Sequence, residues 1–256
     1  TWITQARSYP YVNQASEALV KQISERRKAA VQAEAPGRIA RIAAESGVQT
    51  LVHISAIGAN SDGGSLYAQS KGMGEAAVLA AFPSAMILRP SVIFGSEDGF
   101  FNRFAAMSRM GPILPVVGAG TRFQPVHVDD VAQAAVKGVL GQAHGIYELG
   151  GPEVASFRDL MAKMLGVIRR RRLVLNMPFF AAKILGGLLD FGSAVTLGLI
   201  PNKILTRDQV DSLKTDNVVS AGAKGFADLG IQPTDMESVL PEYLWCYRPA
   251  GQYATI

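Results

Sequence analysis

The chain has 256 residues, of which 48% are hydrophobic and 18% are charged. This composition excludes a disordered protein and allows one large domain, or one domain with a small appendage. The net charge of +4 is small, and the basic residues form no stripe interleaved with aromatics, so nothing here indicates nucleic-acid binding. The single cysteine, Cys246, excludes an internal disulfide and a cysteine metal cluster, and is typical of a reducing compartment.

The predicted elements alternate between helices and strands along the chain. Helices are predicted over 14–31, 37–47, 67–82, 99–110, 130–140 and 156–167, with Ser156 opening the last and Asp129 or Asp130 capping the one before it. Strands are predicted over 50–56, 85–90, 113–117, 123–128 and 145–151. This alternation predicts an α/β fold with an incomplete Rossmann-like parallel sheet, followed by a smaller, mostly helical C-terminal region.

The most apolar stretch, 173–202, is interrupted by Asn176, Pro178, Lys183 and Asp190. It contains no run of about 18 uncharged apolar residues, so we predict an interfacial or buried helical region rather than a transmembrane helix. The opening residues have no signal-peptide pattern.

The candidate chemistry centres on Tyr67 and Lys71, one helical turn apart, with Ser55 at the end of the preceding strand. Residues four apart share a helix face, so the phenol and the ammonium can approach one cofactor ribose. A nearby cation favours the ionised phenol, which would make Tyr67 an acid/base near neutral pH, with Ser55 orienting a substrate oxygen. Coincidence is the alternative, because chance alone gives such a Tyr–Lys pair in roughly one chain of this composition in four.

Residues 72–77 match the dinucleotide fingerprint G-x-G-x-x-A, beginning at Gly72 and Gly74. They lie inside a predicted helix rather than at a strand-to-helix turn, so we interpret them as small residues for close packing. The three histidines show no metal-ligand spacing, and no metal is predicted. His53 is predicted to be a hydrogen-bonded core residue.

The sequence resembles the extended short-chain dehydrogenase/reductases from about residue 31 to the end. More narrowly, it is similar to the alphaproteobacterial relatives of the NADPH-binding accessory subunit of respiratory complex I. The segments that carry this resemblance are VQAEAPGRIARIAAESGV, HISAIGA, LYAQSKGMGEAAV, ILRPSVIFGSEDGFFNRF, TRFQPVHVDDVAQA, YELGGPEVASFRDLM and LPEYLWCYRPAGQY.

The resemblance implies a Rossmann domain that holds NADPH, or NAD(P) more generally, and a smaller C-terminal domain. Tyr67 and Lys71 match the residues that face the nicotinamide ribose, and Pro90, Ser91 and Val92 match a segment packed near the nicotinamide. Family members open with a Gly-rich turn that holds the pyrophosphate. Only 49 residues precede Thr50. We therefore expect the Gly-rich half to be missing, which weakens the expected cofactor binding.

We accordingly predict two domains. Residues 1–168 form a truncated Rossmann-like NAD(P)-binding domain with an atypical stretch over 1–30, and residues 169–256 form the smaller domain, with possible interleaving from 99–128. The arginine run Arg169–Arg172 precedes the apolar stretch. It fits either contact with anionic lipid or a solvated turn before ordinary core helices.

Three functions remain open. The first is a non-catalytic accessory or assembly subunit of a respiratory NADH:quinone oxidoreductase, cytoplasmic and peripheral to the inner membrane, with complex I subunits and the membrane surface as partners. The second is an NAD(P)-dependent reductase or sugar-nucleotide epimerase that uses Ser55, Tyr67 and Lys71. The third is a helper in ubiquinone biosynthesis.

Overall fold

A computed structural model describes residues 29–182, 184 and 207–251. A π-helical turn, Ala29–Glu34, leads into the first α-helix. The α-helices are α1 Ala35–Glu45, α2 Leu66–Ala81, α3 Phe101–Met107, α4 Val128–Val139, α5 Phe157–Val167, α6 Arg207–Ser212 and α7 Met236–Leu244. Two short 3₁₀ turns follow the last strands, Ala227–Leu229 and Trp245–Tyr247. The predicted helix over 14–31 lies almost wholly outside the described residues.

The strands pair mainly in parallel, which confirms the predicted α/β class. They are β1 Val52–Ile54, β2 Met86–Pro90, β3 Ile93–Phe94, β4 Ile113–Val117, β5 Arg122–Phe123, β6 Val126–His127, β7 Gly145–Leu149, β8 Ala155–Ser156 and β9 Leu173–Met177. A three-stranded parallel sheet has the order β1-β2-β7. The pairs β3-β6 and β4-β9 are also parallel, and β5-β8 is antiparallel.

Strand β2 is the centre of the main sheet because both of its faces are covered. Ile87 packs with Val78 and Phe82 of α2 and its C-terminal end, and Met86 and Leu88 pack on the other face with residues of α4. Burying one such aliphatic side chain contributes about 1.5–3 kcal/mol. A strand covered by helices on both faces is the usual arrangement of a parallel sheet.

Short polar side chains set the helix starts, though not always as predicted. The Ser65 hydroxyl caps α2 by accepting from Ala68 N at 3.1 Å. Ser156 caps α5 by accepting from Asp159 N at 3.2 Å, which confirms the predicted start. The predicted cap of α4 is wrong: the N-cap residue is His127, whose side chain makes no cap bond. Asp130 is buried and bonds elsewhere.

A second core lies beside the main sheet and combines α3, α5 and α7. Five phenylalanine rings meet there with centroids between 5.0 and 5.9 Å apart, in the tilted and edge-on geometries that aromatic pairs prefer. They are Phe100, Phe101, Phe104, Phe123 and Phe157. Leu240 and Leu244 close this core, so it draws on residues from both sides of the predicted domain boundary at 168. That boundary stays a prediction.

The start of the apolar stretch 173–202 is not helical, which corrects the prediction there. Residues Leu173–Met177 form β9, paired in register with β4 from Ile113↔Leu173 to Val117↔Met177. A short apolar run cannot be assigned to helix or strand by periodicity alone, and here a strand distant in sequence decides it. Among the residues that the structure describes, no helix is both long and apolar enough to cross a membrane.

Candidate functional site

Ser55 lies just past β1, at the carboxyl end of the main sheet. Its backbone N–H bonds Leu88 O at 2.7 Å, and Ile57 N bonds Pro90 O at 3.0 Å, so the chain continues alongside β2 beyond the strand itself. The Ser55 side chain is only 4% exposed, and its Oγ has no hydrogen-bond partner within the described residues. A buried hydroxyl without a partner carries a desolvation penalty, so this position is suited to a ligand's polar group.

Tyr67 and Lys71 lie in the first two turns of α2, beside this strand end. Lys71 Nζ donates to Ile54 O at 3.3 Å, next to Ser55 in sequence, and lies 5.9 Å from the Tyr67 ring centroid. Tyr67 is 39% exposed. The structure thus brings Tyr67 and Lys71 together at the end of β1, where open parallel sheets place their ligands.

The electrostatics of the phenol differ from the expectation drawn from the spacing. Partial burial raises the pKa of Tyr67, and no lowering by Lys71 accompanies it. Burial also lowers the pKa of Lys71, while Glu75 one turn further along α2 opposes that change. Tyr67 therefore stays protonated near neutral pH, and its hydroxyl is a hydrogen-bond donor rather than a ready base.

His53 is not the hydrogen-bonded core residue that was predicted. Its Nε2 is buried and has no partner within the described residues. Burial lowers its pKa, nearby Lys71 lowers it further, and Glu75 opposes both. The imidazole is therefore held neutral beside the lysine.

A buried ion triad, missed in the sequence, fixes α2 to the sheet. Arg89 of β2 donates from Nε to Glu75 Oε1 at 2.9 Å and from Nη2 to Glu75 Oε2 at 2.6 Å. Its Nη1 lies 3.5 Å from Glu148 Oε1 of β7. The two carboxylates, hydrogen bonding with Glu75 first, raise the pKa of Arg89. The sequence did carry a signal for this triad: the apolar strand contains one arginine, and a glutamate lies on the helix that packs against it.

The segment expected near the nicotinamide is held by the C-terminal part of the chain. Ser91 Oγ lies 2.6 Å from Asn217 Oδ1 and 2.9 Å from Asn217 O, and it accepts from Gln124 N at 3.3 Å. Pro90 ends β2, and Val92 packs against the aromatic core. The Ser91 hydroxyl is therefore engaged within the protein.

The same C-terminal segment crosses the ends of the central strands. Ser220 N donates to Glu148 Oε2 at 2.8 Å, and Glu148 N donates to Lys224 O at 2.8 Å. Further on, Thr234 donates to the buried Asp130 carboxylate from N at 2.6 Å and from Oγ1 at 2.9 Å. Asp130 thus anchors this segment to α4 instead of capping the helix.

Gly72 and Gly74 lie within α2, as the packing interpretation predicts. A Cβ at Gly72 would collide with the backbone of Asn60 and Ser61, so glycine permits the loop before α2 to lie against the helix. Backbone amides already bonded inside a helix are not available to a phosphate, so these glycines are not a pyrophosphate-binding turn.

Comparisons with known proteins agree with this fold. Residues 60–173 match the RmlD substrate binding domain. The chain is 34% identical over 220 residues to the NADH dehydrogenase [ubiquinone] 1 alpha subcomplex subunit 9, mitochondrial, of Arabidopsis thaliana, covering 84% of this chain and 55% of that protein. It is 29% identical over 225 residues to the NADH-ubiquinone oxidoreductase 40 kDa subunit, mitochondrial, of Neurospora crassa, covering 87% and 57%.

Among solved structures, a dTDP-4-dehydrorhamnose reductase from Bacillus anthracis in complex with NADP superimposes with a TM-score of 0.61. It is 18% identical and covers 83% of this chain and 70% of that one, a likeness that concerns the fold alone. The fold is that of the extended short-chain dehydrogenase/reductases. In sequence, the chain is similar to the complex I subunits above, which are atypical for that fold. It spans about half the length of the curated relatives it matches.

Proposed function

We propose that the protein is a non-catalytic accessory or assembly subunit of a respiratory NADH:quinone oxidoreductase. The observation that carries the proposal is the similarity to curated subunits of that enzyme over 84% to 87% of this chain. We place the protein on the cytoplasmic side of the inner membrane, peripheral to it, in contact with other subunits of the enzyme.

The strand-end site is proposed to hold NADPH or another NAD(P) form rather than to turn it over. A dinucleotide, when bound, supplies a hydride-transfer centre in enzymes of this fold. Here the Lys71 ammonium and the protonated Tyr67 phenol would donate to ribose hydroxyls, and the unpartnered Ser55 Oγ would meet a polar group beside them. The nicotinamide end of the dinucleotide would lie against the segment at the end of β2, which comprises Pro90, Ser91 and Val92.

The electrostatics of Tyr67 favour holding over catalysis. An acid/base residue works best with a pKa near the working pH, and burial moves the Tyr67 pKa away from it. The protonated hydroxyl remains a hydrogen-bond donor for binding.

The peripheral membrane placement rests on charge and exposed apolar area around β9. Arg169–Arg172 precede the strand, and Leu173 and Leu175 on it are 63% and 49% exposed. Basic residues beside exposed apolar side chains are typical of surfaces that contact anionic membranes.

Co-migration tests the accessory role. Membranes from a cell that expresses the tagged protein would be solubilised in mild detergent and separated by native electrophoresis with an in-gel NADH dehydrogenase stain. We expect the tag to co-migrate with the stained band, and salt to release it from unsolubilised membranes. A tag found entirely as a free species in the supernatant contradicts the role.

Cofactor binding is tested by titrating NADPH fluorescence against the wild type, Lys71→Ala and Lys137→Ala. Charge-assisted hydrogen bonds contribute about 1.5–3 kcal/mol, so losing the Lys71 ammonium should weaken binding by about 10- to 150-fold. Lys137 lies in the last turn of α4 and is the matched control. Equal affinities for all three proteins would contradict the assignment of the site.

A reductase or epimerase is the second candidate, favoured by the unpartnered Ser55 Oγ beside Tyr67 and Lys71. It predicts NAD(P)H consumption with a carbonyl or nucleotide-sugar substrate, lost in Tyr67→Phe. Binding without consumption in that assay favours the accessory role.

A further inference from the structure

Arginines from two distant parts of the chain converge beside the end of α5. Arg170 Nε donates to Tyr247 O at 2.8 Å, Arg172 Nε to Ser108 O at 2.7 Å, and Arg248 Nε to Val167 O at 2.9 Å. Each bond uses the Nε edge and anchors the guanidinium to a backbone carbonyl. Within the described part of the chain, the Nη groups of Arg170 and Arg248 make no hydrogen bond, so their terminal N–H groups remain for a ligand.

These cations repel one another. Burial lowers the pKa of Arg170, and the charges of Arg172 and Arg109 lower it further. Within the described ranges, Arg170, Arg172 and Arg248 form no ion pair. The Asp98 carboxylate lies near Tyr247, beside this cluster. It already accepts hydrogen bonds from the Tyr243 hydroxyl and from the backbone N–H groups of Phe100 and Asn102, so it is engaged elsewhere. Uncompensated like charges held together by their anchors favour an anion between them.

The cluster borders a shallow depression of about 660 Å³ that has two chemical characters. Arg169–Arg172 line one part, and Ala162, Leu165, Gly166 and Val174 line the rest. The turn that presents the run is set by Arg169 in a left-handed conformation with φ of 52°, where Arg170 N bonds Leu165 O at 3.1 Å. A cationic rim over an apolar floor matches a ligand with a phosphate at one end and an apolar group at the other.

We propose that Arg170, Arg172 and Arg248, with the neighbouring Arg171 and Arg109, bind the phosphate of an amphiphilic phosphate ester. Planar guanidinium groups match phosphate oxygens in pairs, and these groups together would neutralise one or two negative charges. The ester can belong to an anionic phospholipid in a bilayer or to a water-soluble molecule. The inference deepens the membrane placement proposed above, because it names the group that this surface recognises.

Vesicle sedimentation with the purified chain tests the site. The probes are phosphatidylglycerol-containing vesicles, pure phosphatidylcholine vesicles, and glycerol 3-phosphate measured by its effect on Tm. The variants are Arg109→Gln/Arg171→Gln, which removes two exposed charges, and Arg170→Lys, which keeps the charge but loses the planar fork. Arg38→Gln/Arg41→Gln on α1 removes two charges from another exposed helix and is the matched control.

We expect binding to phosphatidylglycerol vesicles, weaker binding to phosphatidylcholine, and about a thirty-fold loss in Arg109→Gln/Arg171→Gln, since each basic residue near an anionic surface contributes about 1 kcal/mol. Arg170→Lys should lose affinity as well, and the control should not. A rise in Tm with glycerol 3-phosphate alone, sensitive to the same variants, would assign the site to a soluble ester. No binding in either arm, or equal loss in the control, overturns the proposal.

The test is independent of the respiratory enzyme, because only the purified chain is present. If the wild-type chain binds no vesicles and shows no Tm response, but still co-migrates with the respiratory enzyme, the phosphate site is refuted and the accessory role stands. Vesicle binding retained without co-migration would do the reverse.

Discussion

Replacing Arg89 should destabilise the protein more than replacing any single residue on the protein surface. Its guanidinium lies between Glu75 and Glu148, whose side chains are 5% and 8% exposed, while its own side chain is 22% exposed. Arg89→Leu leaves two buried carboxylates without their cation. Breaking a buried ion pair from one side costs about 3–5 kcal/mol, and we expect a loss in that range for this variant.

Replacing the partner Glu75 should cost less stability than replacing Arg89. Glu75→Leu leaves Arg89 with Glu148 and some access to water, so we expect about 1.5–3 kcal/mol, the usual contribution of hydrogen bonds to a charged group. The double variant Glu75→Leu/Arg89→Leu should lose less free energy of unfolding than the sum of the two single-variant losses, by about 0.5–3 kcal/mol. Arg122→Ala is the control: it breaks an ion pair whose arginine side chain is 61% exposed, so its loss should stay below about 1 kcal/mol.

Urea unfolding followed by far-UV circular dichroism measures all four free energies of unfolding, provided that the m-values agree. The reasoning is wrong if Arg89→Leu costs no more than Arg122→Ala. It is also wrong if Glu75→Leu costs more than Arg89→Leu, because the ranking follows from which charge is left behind.

Three further predictions concern other parts of the fold. NMR titration should place the His53 pKa below the ordinary value of about 6.5. The free energy of unfolding should therefore fall as the pH drops from about 6.5 through the pKa of the folded state. His53→Gln should flatten this pH dependence of stability. Gly72→Ala should destabilise by about 1–3 kcal/mol, since its Cβ meets backbone, whereas Gly166→Ala, with open space around it in α5, should gain about 0.5–1 kcal/mol in thermal or urea unfolding. Asp130→Ala should cost about 2–4 kcal/mol and Asp129→Ala less than about 1 kcal/mol; equal losses would contradict the anchoring role of Asp130.

Much of the main sheet could be predicted from the sequence because its signals are local. Patterns only a few residues long predict three of its features. They are the apolar strand over 50–56, the helix that begins after Ser65, and the start of α5 at Ser156. Strand β9 could not be predicted in this way. Its residues are as apolar as a helix face would be, and only the pairing with Ile113–Val117 makes them a strand.

The candidate site was predictable in composition but not in electrostatics. The spacing of Tyr67 and Lys71 puts them on one helix face, and the structure agrees. The direction of the Tyr67 pKa depends on burial, which no spacing reveals. In the same way, the bonds from Ser91 to Asn217 and from Asp130 to Thr234 join residues more than 100 positions apart, so local patterns gave no sign of them.

The bond between Ser91 and Asn217 has a consequence for biosynthesis. The two residues are separated by 126 positions. At translation rates of about 5–20 residues per second, Ser91 leaves the ribosome about 6–25 s before its partner. From the emergence of β7 until Asn217 follows, the ends of β2 and β7 lack their covering segment, so the nascent sheet is open at the edge that later carries the site. We expect this interval to be when the chain depends most on chaperones.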